Sequence, residues 1–163
     1  MSNAVDKARE VLDRYWDRKV PVDLDKIAGS LGVQVKYTYP IDDNPDVSGK
    51  LSFDLFSQLP ICEINRFDIS QRQRFTLAHE LGHYLLGHGE QLDTNAKLYR
   101  NTNTSQSYEE MQANSFAAEI VMPEIAIDYF IREKNITTIE ALALSFDVSE
   151  VAMKYRLKNL GWI

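Results

Sequence analysis

His79-Glu80-Leu81-Gly82-His83 constrains this chain more than any other stretch of it. Two histidines four residues apart can share one metal ion when the segment is helical, because one turn then stacks both imidazoles on a single face. The flanking residues agree with a helix. Phe75, Ala78, Leu81, Leu85 and Leu86 keep helical spacing, Ser70 with Gln73 has the form of a capping box, and Gly87 ends the run. Glu80 lies about 100° round such a helix from His79. That position is beside an ion rather than on it, where a general base for water belongs. The competing reading of the pair is two hydrogen-bonded histidines without a metal, so a third ligand has to decide.

The rest of the composition leaves room for such a site and removes other classes. With 163 residues, 44% hydrophobic and 26% charged, the chain suits one globular domain with a real core, and 1–163 is read as a single unit. Cys62 is the only cysteine, which excludes an intrachain disulfide and a cysteine-rich zinc module. It falls in an alternating strand pattern and reads as structural. No apolar run has transmembrane length and the first ten residues have no leader-like apolar stretch, so a cytoplasmic protein is expected. Eighteen basic against 24 acidic residues give a net charge of −6. This is the wrong sign for a protein that binds by neutralising phosphates.

Periodicity places the motif in an α+β domain, mostly helical with a small three-stranded sheet. Ala4, Val5, Ala8, Val11, Leu12, Tyr15 and Trp16 mark an opening amphipathic helix. Asp23 caps a second, with Leu24, Ile27, Ala28 and Leu31 as its buried stripe. Val33, Val35, Tyr37 and Tyr39 alternate as a strand, 40–46 reads as a loop, and 47–56 and 59–65 read as two more strands. After the histidine helix, 89–107 is polar and weakly periodic and reads as a long loop, of the kind that is more often functional than idle. A helix follows over 108–122, with Pro123 as the first residue of the next. Thr137 with Glu140 caps another, and Ser149 caps a last one that runs to Leu160.

The helix after the loop supplies the third ligand. It reads Tyr108-Glu109-Glu110-Met111-Gln112-Ala113-Asn114-Ser115-Phe116-Ala117-Ala118. Its small residues Ala113, Ala117 and Ala118 let it approach the histidine helix closely, so that a Glu from it can complete a two-His, one-carboxylate set.

Taken together, Arg74-Phe75-Thr76-Leu77-Ala78-His79-Glu80-Leu81-Gly82-His83 and the later Glu110-x-x-Ala113-Asn114-x-Phe116-Ala117-Ala118-x-x-x-Met122-Pro123 resemble the ImmA/IrrE family of metallopeptidases. The likeness runs from about residue 20 to 123. It implies a zincin-like fold with one zinc ion per chain, held by His79, His83 and Glu110, with Glu80 catalytic. Glu110 rather than Glu109 follows from the family's Glu-x-x-x-Asn spacing. Asn114 would then accept a hydrogen bond from a ligand imidazole and fix its tautomer. Gln112 stands where many members carry an acid, and Ile120-Val121 replaces a leucine pair; neither change falls on a proposed ligand. His88 does not fit the longer metzincin pattern and reads as a surface residue.

The resemblance implies a regulatory zinc endopeptidase whose substrate is one protein, a helix-turn-helix repressor. Tyr99, Arg100 and Tyr108 are candidates to stabilise the oxyanion, and the strand 59–65 is a candidate edge for pairing with an extended substrate. Residues 137–160 resemble a helix-turn-helix, with Lys154, Arg156 and Lys158 on its second helix. Their weak local charge favours packing on the core over DNA binding. The reading from another class is a noncatalytic zinc module that binds a protein partner or DNA. Retention of Glu80 argues against it, because a scaffold needs the ligands but not the base.

Overall fold

The computed structural model describes residues 3–94 and 107–163. Chain order is α1 (Asn3–Tyr15), α2 (Leu24–Ser30), β1 (Gln34–Thr38), β2 (Val47–Phe53), β3 (Pro60–Asn65), α3 (Ser70–Leu85) and β4 (Gln91–Thr94). Then come α4 (Tyr108–Val121), α5 (Glu124–Arg132), α6 (Ile139–Phe146) and α7 (Glu150–Asn159). The α+β class is as expected, but the sheet has four strands in the order β1-β3-β2-β4 rather than three. The added strand, β4, lies inside the stretch read as loop. Its sequence is Gln91-Leu92-Asp93-Thr94, and its alternation is inverted: Leu92 is 42% exposed while Asp93 is fully buried. A pattern search that expects apolar residues inward cannot find such a strand.

β3 runs parallel to β1 and antiparallel to β2, and β2 pairs antiparallel with β4. Because β3 is held on both sides, it cannot add a substrate strand. The expectation for 59–65 is therefore corrected, and among the described residues the sheet edges are β1 and β4. A register shift between Val47 and Gly49 leaves Gly49 opposite Asp93. Bulges of this kind re-aim side chains near sites.

One face of the sheet packs against α3, which in turn packs along α4. The core is shared across these layers: Ala8 and Leu12 from α1, Ile27 from α2, Leu51 and Ile64 from the sheet, Leu77, Ala78 and Leu81 from α3, and Phe116, Ala117 and Ile120 from α4 are all buried. A Cβ on Gly82 would stand 3.0–3.2 Å from the Phe116 side chain, so the glycine inside the motif is what lets α3 and α4 meet this closely. Arg74 ties α3 to both ends of the chain, donating to Val22 O at 2.9 Å, Asp147 O at 3.3 Å and Phe146 O at 3.5 Å.

Several caps differ from their sequence readings. Ile69, not Ser70, is the cap of α3; Ser70 Oγ donates to Asp147 Oδ2, and Gln73 Nε2 donates to Asn65 O and Arg66 O. The capping-box pair thus fastens α3 to its neighbours. Thr138 rather than Thr137 caps α6, accepting from Ala141 N, and Pro123 is the cap residue of α5 rather than its first turn. Ser149 caps α7 by accepting from Ala152 N, as read.

The C-terminal helices rest on this body through Phe146, Met153 and Leu157, all buried. Arg156 is also turned inward, where it donates to Met122 O and forms an ion pair with Glu119. Of the three basic residues placed on this helix by sequence, Lys154 and Lys158 are exposed and Arg156 is not. No helix among the described residues is long and apolar enough to cross a membrane.

Candidate metal centre

Helical geometry puts His79 and His83 one turn apart on the buried face of α3, with their Nε2 atoms 3.0 Å from each other. Glu110, in the first turn of α4, reaches between them: Oε1 lies 3.4 Å from His79 Nε2 and Oε2 lies 2.8 Å from His83 Nε2. Ser107 caps that turn by accepting from Glu110 N, which fixes where the helix begins and so where the carboxylate points. Asn114, one turn further on, sets its Oδ1 2.8 Å from His79 Nδ1. An amide oxygen only accepts, so this contact keeps a proton on Nδ1 and leaves Nε2 to face the cluster.

A fourth group, unforeseen from sequence, completes the cluster. Asp93 on β4 brings Oδ2 to 3.6 Å from His79 Nε2 and 3.9 Å from His83 Nε2. One ligand atom from each of His79, His83, Asp93 and Glu110 falls within 4.8 Å of all the others, and all four residues are buried. Zinc bonds of about 2.0–2.2 Å in a tetrahedron separate neighbouring donors by about 3.4 Å. The donor separations scatter about that value, so the residues fit a metal of this kind.

Electrostatics point the same way. Burial opposes charge on His79, but the neighbouring carboxylates of Asp93 and Glu110 outweigh it and lift its pKa to about 9. His83 moves down, through burial and the neighbouring His79 charge, against the pull of Glu110. Burial would raise Glu110 and Asp93, yet both lie below the usual carboxylate range. Glu110 is held there by His79 and His83, and Asp93 by its neighbours Glu80 and His79. Two carboxylates converging on two imidazoles in a buried pocket make a place built for positive charge.

Glu80 is fully buried against the sheet. A Cβ on the facing Gly49 would come within 3.0 Å of Glu80 Oε2. The glycine is therefore what admits this side chain. Cys62, behind it on β3, is buried, and both burial and the Glu80 charge push its thiol up, so it stays protonated and structural.

His88 is not a plain surface residue. Gly87 adopts φ +76°, the chain turns back, and His88 N bonds to His83 O at 2.9 Å. His88 Nδ1 then sits 2.9 Å from His83 Nδ1, and His88 Nε2 sits 3.1 Å from Gln112 Oε1. Gln112, the departure that touches no proposed ligand, is thus two hydrogen bonds from one of them. Tyr108 is 72% exposed at the start of α4, and Tyr99 and Arg100 lie outside the described residues.

Residues 43–158 match the model of the IrrE N-terminal-like domain, a family classed with the peptidases. The chain belongs to this family. The likeness to ImmA/IrrE read from the two motifs is thereby borne out. Among solved structures, a Mycobacterium tuberculosis transcriptional regulator superposes with a TM-score of 0.62 at 15% identity, over 97% of this chain and 47% of that one. The chain thus spans under half the length of that regulator, and the likeness is one of fold. No curated protein matches the sequence.

Proposed function

We propose that this IrrE-like domain is a zinc-dependent endopeptidase of regulatory type, acting on one protein substrate, a helix-turn-helix repressor. The observation that carries the reading is the convergence of His79, His83 and Glu110 within 3.4 Å of one another beside the buried carboxyl of Glu80. In this reading His79, His83 and Glu110 hold the metal, and Asn114 orients His79. Bound there, zinc would supply a Lewis acid for the scissile carbonyl and make water acidic enough to ionise near neutral pH.

Glu80 takes the proton of the attacking water and hands it to the leaving amine. Its burial between α3 and Gly49 keeps its carboxylate aimed and excludes bulk water from that exchange. The name of the structural relative, a transcriptional regulator, supports a regulatory setting, and the family supports peptide hydrolysis. The exposed Lys154 and Lys158 do not amount to a DNA surface once Arg156 is buried. A cytoplasmic setting suits a lone, buried, protonated thiol.

The test is a comparison of new protein N-termini in cells producing either the wild type or Glu80→Gln. The proposal expects cleavage within a helix-turn-helix repressor with the wild type alone. Identical N-termini from both proteins would refute hydrolysis and leave a noncatalytic binding module.

A further inference from the structure

Three protein ligands and one open position are the mark of a catalytic zinc site, whereas four protein ligands mark a closed one. The cluster here has four candidates, and the fourth comes from a different element than the motifs. Resting on the proposed peptidase reading, we infer that Asp93 is a latch: it fills the remaining side of the metal site and occupies the place the attacking water needs, so that hydrolysis requires β4 to move.

Position is the first argument. Asp93 faces both imidazoles at 3.6 and 3.9 Å, and it pairs across the strands with Gly49, the residue that Glu80 packs against. It therefore stands at the imidazole edges on the side where Gly49 meets the proposed general base, the side from which Glu80 would have to reach a water. Access is the second. His79, Glu80, His83 and Asp93 have no exposed surface.

Charge is the third. Counting the ion and its ligands alone, with Glu80 outside the set, a divalent ion with two neutral imidazoles and the carboxylates of Asp93 and Glu110 is electrically balanced, which suits a site without solvent. With Asp93 withdrawn, the ion and its remaining ligands carry a net positive charge that favours an anionic or polarised ligand, as hydrolysis requires.

The element that carries Asp93 is built to come away. β4 has four residues and, among the described residues, sits at the sheet edge and pairs with β2 alone, across a register shift. Its one large apolar side chain, Leu92, is 42% exposed and adds little core packing. Asp93 is the inward anchor of the strand, so its ligation is much of what holds β4 down. Short, sparsely packed edge segments open at the low end of the local stability range.

The experiment uses the full chain loaded with Co²⁺, with azide as the probe anion, followed by visible absorption, together with Zn²⁺ affinity by chelator competition. The latch predicts a wild-type spectrum of a four-coordinate ion that azide does not change. It predicts that Asp93→Ala and the near-isosteric Asp93→Asn bind Zn²⁺ at least tenfold more weakly and respond to azide. A wild-type spectrum that shifts with azide overturns the latch without any variant. So does equal Zn²⁺ affinity in wild type and Asp93→Asn. If the wild type holds neither ion, the peptidase reading itself fails, an outcome distinct from metal binding that is indifferent to Asp93.

Discussion

Gly49 and Glu80 face each other across the sheet–helix interface so closely that a Cβ on Gly49 would stand 3.0 Å from Glu80 Oε2 and 2.4 Å from Thr76 Cγ2. Thr76 and Glu80 are one turn apart on α3, so a methyl group there pushes on both. Gly49→Ala is expected to lower stability by about 1–3 kcal/mol through overpacking and to displace Glu80, abolishing cleavage while metal is retained. Chemical denaturation with metal analysis checks this. Unchanged stability would mean that the sheet yields at no cost and that the close approach does not position the base.

The histidine helix and its partner were legible because their chemistry and periodicity coincide. His79 with His83, and Glu110 with Asn114, sit at the four-residue spacing that a helix stacks on one face, and the small residues that allow the two helices to pack closely, Gly82, Ala113 and Ala117, stand beside them. Asp93 was illegible for the converse reason. In β4 the buried position holds an acid and the exposed one a leucine, so the only signal available was a lone acid in polar sequence. Gly49 reads as an ordinary strand residue until Glu80 is placed opposite it. His88 lost its signal to a turn: the positive φ of Gly87 folds it back under His83, and no linear pattern encodes that return. The edge order of the sheet was likewise hidden, because it depends on β4.

The relay behind His83 gives a second expectation. If Nε2 of His83 faces the metal, its Nδ1 carries the proton and donates to His88 Nδ1, and His88 then donates from Nε2 to Gln112 Oε1. His88→Ala removes the acceptor and should weaken Zn²⁺ binding about 10–100-fold. Chelator competition reads it, and undiminished affinity would show that the relay does not orient the ligand.

Metal binding should be coupled to pH through His79. Its pKa of about 9 lies above the ordinary 6.5. In the metal-free protein this stabilisation is complete below about 6.5 and is lost as pH rises toward 9. An imidazole ligand must be neutral, so Zn²⁺ affinity should climb over the same window, with release of about one proton per ion at pH 7. Calorimetric titration in two buffers of different ionisation enthalpy measures the release, and equal heats in both would contradict it.

Away from the site, Glu119 accepts from Arg156, from Arg9 Nε at 3.5 Å and from Glu124 N at 3.3 Å, joining α1, α4, α5 and α7. Breaking a buried pair strands a charge. Arg156→Ala is expected to cost about 3–5 kcal/mol in urea unfolding while leaving the metal cluster's affinity unchanged in the folded fraction. A loss below about 1 kcal/mol, the range of an exposed pair, would mean that α7 is only loosely seated.

The central claim, that His79, His83 and Glu110 together hold a metal ion, is tested most directly by elemental analysis of the zinc-loaded, dialysed protein beside Glu110→Ala and Glu80→Gln. The account predicts about one zinc per chain in the wild type and in Glu80→Gln, and almost none in Glu110→Ala. Absence of metal from the wild type, or its full retention in Glu110→Ala, would contradict it.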